Sequence, residues 1–127
     1  METIENLKKQ YVKHCQEHWV AINNGDSKNA NKLHKKIILV AKKIITSGKF
    51  DMINDFLESQ DENIKLWTAC LHIRTYPEKA LKALHELTCS SNFFVSFDAK
   101  ETIKLYKSGK WDDIALEYLR LHEQLPD

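Results

Sequence analysis

Only three glycines and two prolines interrupt the 127 residues. An all-β sandwich needs a turn signal every 8–12 residues or so. A chain with so few breakers cannot supply them, and long helices joined by few turns are what remains. Hydrophobic residues at 43% and charged residues at 29% are ordinary for a globular domain, and the length fits one domain of about 100–200 residues.

Apolar periodicity places the helices. Ile4, Leu7, Tyr11, Cys15, His18 and Ile22 recur every three or four residues. They predict a first helix over about Thr3–Asn24, capped by Thr3 and stopped at Asn23-Asn24-Gly25. Ala30, Leu33, Ile37, Val40, Ala41 and Ile44 predict a second helix, from Asp26 or Ser27 to Thr46. Lys28, Lys32, Lys35, Lys36, Lys42 and Lys43 fall on its opposite side. Two helices of this length across a Gly25 turn form an antiparallel hairpin. Beyond Ser47-Gly48 shorter helices are expected: about Phe50–Ser59, Asn63–Arg74, Pro77–Leu87, Phe97–Tyr106 and Asp112–Glu123. Pro77 suits a first helical turn, and Asp61 is a cap. Cys89–Ser96 reads as a loop that buries Phe94. The division expected is therefore a hairpin over 1–47 and short helices over 48–127 of one domain.

The short helices repeat. Ser47-Gly48-Lys49-Phe50-Asp51-Met52-Ile53 returns as Ser108-Gly109-Lys110-Trp111-Asp112-Asp113-Ile114, an offset of 61. A shift of 30 superposes Ile53 on Ala83, Leu57 on Leu87, Ile64 on Phe94, Trp67 on Phe97, Ala69 on Ala99 and Ile73 on Ile103. Paired helices with a period of about 20–50 residues mark an α-solenoid, in which stacked neighbours make the core. On this reading Trp67 and Trp111 are core residues, and Trp19, off the centre of the first stripe, is half-exposed or covers the seam with the second helix.

Lys65-Leu66-Trp67-Thr68-Ala69-Cys70-Leu71-His72-Ile73 is followed by Tyr76-Pro77-Glu78-Lys79-Ala80, then Leu84-His85-Glu86-Leu87 and Leu105-Tyr106-Lys107-Ser108-Gly109. Over roughly residues 8–109 this resembles a family of small bacterial HEAT-like proteins, mostly uncharacterised. It departs at Thr68, where Ala is frequent, and at Tyr106, where Trp is common. The resemblance implies an all-α, short HEAT-like α-solenoid of about seven helices with a long N-terminal helical hairpin. Some members resemble immunity proteins that neutralise toxins in bacterial competition.

No arrangement for catalysis emerges. His14-Cys15-Gln16-Glu17-His18 spells HxxEH, the inverted zinc-peptidase motif, but such enzymes are far larger and take a third ligand from a separate helix. His18 reads instead as a packed histidine, and neither a metal nor a cofactor is expected. Cys15, Cys70 and Cys89 lack CxxC spacing and read as reduced thiols, Cys15 and Cys70 on apolar faces. There is no glycine-rich phosphate loop and no GxSxG. The start lacks a basic segment followed by an apolar one, and no apolar run approaches the roughly 18 residues that span a bilayer. A cytoplasmic protein without membrane contact is expected.

Net charge is only +1, yet unevenly spread. Residues 26–49 hold seven lysines against one aspartate, residues 51–63 hold five acids and no base, and residues 111–127 hold five acids against Arg120. The lysines read as a solvated helix face; nucleic-acid binding through the second helix is the alternative function. The leading expectation is a non-enzymatic protein-binding module, monomeric or weakly dimeric, that as an immunity protein binds a cognate toxin domain. Lys65, Thr68 and His72, with Ala69, are expected to line its groove. The acidic residues Asp61, Glu62, Asp112 and Asp113 flank it and attract a basic partner.

Overall fold

The structure, a computed structural model, describes residues 3–73 and 76–110. These residues are helical throughout, with no strand among them: α1 (Ile4–Asn23), α2 (Ser27–Thr46), a 3-10 helix (Phe50–Glu58), α3 (Glu62–His72), α4 (Pro77–Leu87) and α5 (Phe93–Lys107). The expected helix over 112–123, with Trp111, Asp112 and Asp113, lies outside the described residues. The described residues form two compact units, 3–52 and 53–110.

The first unit is the hairpin. Thr3 caps α1, its hydroxyl accepting from the Asn6 amide at 3.2 Å. Gly25 takes φ 70°, a left-handed conformation open to glycine, and the Asp26 amide reaches back to the Ala21 carbonyl at 2.9 Å. Asp26 then caps α2 by accepting from the Asn29 amide. Leu7, Tyr11 and Cys15 of α1 are buried, as are Leu33, Ile37, Val40, Ala41 and Ile44 of α2. Near the turn the small residues Ala21 and Ala30 cluster with Leu33 and Ile22. Trp19 is half-buried, as its position off the stripe implies.

The chain after the hairpin departs from the expected helix list in two places. Residues 50–58 wind as a 3-10 helix rather than an α-helix, with i→i+3 bonds such as Met52 N–H to Lys49 O at 2.8 Å and Ser59 N–H to Phe56 O at 3.1 Å. Asp51, Asn54 and Asp55, all weak α-formers, make up a third of this stretch. The second departure is α5. It begins at Phe93, four residues before the expected start, so Cys89–Ser96 is not a loop over a buried Phe94. Asn92 caps it, its side-chain oxygen accepting from Phe94 N–H at 2.9 Å and Val95 N–H at 3.3 Å.

The start of α5 copies that of α3. Asp61 accepts from the Asn63 and Ile64 amides at 3.0 and 3.1 Å, while its own N–H donates to Ser59 Oγ at 3.1 Å. At Asn92 the N–H donates to Ser90 Oγ at 3.0 Å. Ser59-x-Asp61 and Ser90-x-Asn92 thus make the same three bonds 31 residues apart. A shift of 31 rather than 30 brings buried Ile64 onto buried Val95, and rotates Phe94 and Phe97 by about 100° from the positions a shift of 30 assigns them. α4 packs on both α3 and α5, and α3 also touches α5. Leu57, Trp67, Ala69, Ile73, Ala83, Leu84, Leu87 and Ala99 are buried in this unit.

Candidate functional site

The side chains expected to line a groove on α3 do not share one. Thr68 and His72 are both fully buried, at 0% exposure. The Thr68 hydroxyl donates to the Ile64 carbonyl at 2.7 Å, which satisfies it within its own helix and lets it sit in the core. His72 packs edge-on against Tyr76, ring centroids 5.5 Å apart. Ala69 is buried beside them. All three therefore belong to the packing of the unit. Lys65 is largely covered, its ammonium 3.1 Å from the Glu86 carboxylate on α4. Asp61 is committed to the cap of α3. Glu62 accepts from the Ser90 hydroxyl at 2.9 Å and so ties the start of α3 to the segment before α5.

Two adjoining clefts, of about 230 and 460 Å³, lie within the second unit, walled by Glu58, Lys82 and Glu86 in common. Asp55 and Lys79 line the first, Glu62 and Lys65 the second. Neither wall holds a histidine or a cysteine. Burial pushes the Cys70 thiol up to about 12, with the Thr102 hydroxyl 3.9 Å from its sulfur. A thiol so raised stays protonated at neutral pH, and the thiolate is the attacking form. On α1, His14 sits 3.4 Å from Glu17, and His18 is held below the usual histidine range by desolvation and then by His34 on α2. Among the described residues no three His, Cys, Asp or Glu side chains converge as metal ligands.

The surface that stands out is on α5. Val95, Ala99, Thr102 and Ile103 turn into the core. Phe93 and Phe97, one turn apart on the far side, are 70% and 49% exposed, and Phe94 beside them is 48% exposed. Phe93 stacks on Phe97 with centroids 5.6 Å apart and planes inclined by 24°, and meets Phe94 edge-on at 6.1 Å. The three rings make one apolar patch. Beyond it Lys100, Lys104 and Lys107 are exposed, and the partly desolvated Asp98 carboxyl is held above the usual carboxylate range.

Sequence reasoning missed this patch because Asn92-Phe93-Phe94-Val95 carries no helical apolar stripe. The available signal was the Ser-x-Asx pair: aligning Ser90-x-Asn92 with Ser59-x-Asp61 starts α5 at Phe93 and turns Phe97 outward.

Comparison of the chain with protein-family models, with curated proteins and with solved structures returns no match. None of the described helices is long and apolar enough to cross a membrane.

Proposed function

We propose that the protein is a non-enzymatic binding module that docks one protein partner on the outward face of α5. The observation that carries this reading is the exposed Phe93–Phe94–Phe97 patch. Large exposed aromatics are enriched where proteins meet and supply most of the energy there. At roughly 200 Å² per ring, the exposed fractions amount to about 330 Å². A stable interface takes about 800 Å² from each partner, so the patch forms the centre of a larger contact. The chain alone is then a monomer or a weak dimer in the cytoplasm.

The repeated Ser-x-Asx cap supports a HEAT-like solenoid as the architecture, since it sets two helices in equivalent roles one period apart. The resemblance to immunity proteins supplies the class of partner, a bacterial toxin domain.

The test is co-expression with any toxin domain that a neighbouring gene encodes. The wild type should restore growth and co-purify with the toxin. Phe93→Asp combined with Phe97→Asp should abolish both at unchanged helicity, since both positions are exposed and the carboxylate at 93, in the first turn of α5, suits the helix dipole. A doubly substituted protein that still protects would discard the α5 surface. Absence of any toxin-dependent growth effect in the wild type would discard the immunity reading.

A further inference from the structure

We infer that the outward face of α2 is a second docking site, distinct from the aromatic surface, and that its occupant is the major groove of a B-form DNA duplex. Residues 3–52 carry ten lysines against four acidic residues, an excess of +6 in a chain whose net charge is +1. α2 itself contains no acidic residue. Lys28, Lys32, Lys35, Lys36 and Lys43 are exposed and Lys42 half-buried. Lys28, Lys32, Lys35 and Lys36 make no ion pair among the described residues.

Their arrangement goes beyond what solubility needs. At about 100° per residue, Lys35 and Lys42 form one row, and Lys32, Lys36 and Lys43 form a second row across the helix. Lys28 and Leu39, the latter 53% exposed, occupy the line between. Lys28 to Lys43 covers about 22 Å along a helix about 10–12 Å wide. A B-DNA major groove is about 12 Å wide and admits such a helix. Seated there, the two lysine rows reach phosphates on the two strands, and Leu39 faces the groove floor, where it can touch only thymine methyl groups. With no arginine, and no glutamine on the central line, the contact does not read sequence.

Other polyanions fit less well. α2 contains no Phe, Tyr or Trp, so it lacks the large stacking platforms that hold single strands. The major groove of an RNA duplex is too deep and narrow for a helix. The apolar stripe of α2 is already buried, which leaves it no face to insert into a lipid surface.

The experiment is fluorescence anisotropy with the full chain and a labelled DNA duplex of about 20 base pairs. The five lysines of the two rows predict saturable binding at about 50 mM salt, with log K falling against log salt at a slope of about −4.5. Replacing Lys32, Lys35, Lys36 and Lys43 together by Gln should weaken binding at least about 100-fold and reduce the slope to about −1, at an unchanged melting temperature. Leu39→Glu, which sets a carboxylate among the phosphates, should weaken it about tenfold. An RNA duplex of equal length and vesicles containing phosphatidylglycerol should each bind at least about tenfold more weakly than the DNA. No duplex binding at 50 mM salt, binding indifferent to the four Gln changes or to Leu39→Glu, or RNA or vesicles held as tightly as DNA would each overturn the proposal.

Discussion

The hairpin and the second unit solve the same problem, burying apolar surface with helices, in opposite ways. The hairpin uses two helices of 20 residues each. Each has one apolar stripe, and the remaining faces are left to charge, all of it positive in α2 and three lysines against two glutamates in α1. The second unit uses a 3-10 helix and α-helices of 11–15 residues. Its charges balance, eight basic against eight acidic over residues 53–110, and two of its helices start with the same Ser-x-Asx cap. A long amphipathic helix tolerates an error of a residue in where it begins, because its stripe runs past either end. A short helix does not: one residue turns it by about 100° and exchanges core for surface.

That contrast can be broken most directly in the second unit's core. Trp67 is buried, and Trp67→Ala should cost about 3–5 kcal/mol, a large share of the roughly 5–15 kcal/mol that holds a typical domain together. Urea denaturation reads it; a loss below about 1 kcal/mol would make Trp67 a surface residue.

The caps come next. Asp61→Ala and Asn92→Ala should each cost about 0.5–2 kcal/mol, and the two losses should be similar because the bonds removed are the same. A large loss at Asp61 with none at Asn92 would show that α5 is not held as α3 is.

The hairpin carries a pH dependence. Both His18 and His34 are held below the ordinary histidine pKa of 6.5, chiefly by desolvation. The unfolded chain therefore binds protons that the folded hairpin resists. Stability is full above about pH 6.5 and declines as pH falls below it. His18→Gln with His34→Gln should flatten the denaturation midpoint between about pH 7.5 and 5. A wild-type hairpin that gains stability on acidification would contradict the assignment.

The smallest effect is expected at the exposed aromatics. Phe93→Ser should shift stability by no more than about 0.5 kcal/mol, in sharp contrast to Trp67→Ala. A loss of several kcal/mol there would place Phe93 in a core.

Legibility in the sequence followed these physical differences. The hairpin, its Gly25 turn and its Thr3 cap were plain because period, cap and breaker agree. Pro77 and Asp61 marked the starts of α4 and α3 for the same reason. α5 was hidden: aromatic and β-branched residues at its start imitate a strand or a buried loop, and the cap at Asn92 outweighs them. The expected site on α3 failed on a different point. Thr68 and His72 are polar by composition, but a hydroxyl bonded to the carbonyl one turn back, or an imidazole packed edge-on against Tyr76, can be buried. Polarity in a short central helix is thus a poor guide to exposure. What marks the aromatic patch is register.

The paired caps also govern how such a chain could change length. A tandem copy of residues 59–89 would end where Ser90-x-Asn92 begins, so each copy would carry its own helix start and pass the next one on in phase. Duplication or deletion by 31 residues preserves every inward face, whereas 30 or 32 would turn the following helix by about 100° and bring its aromatics into the wrong layer. The chain can lengthen or shorten in whole units of that size, and nothing in between is neutral.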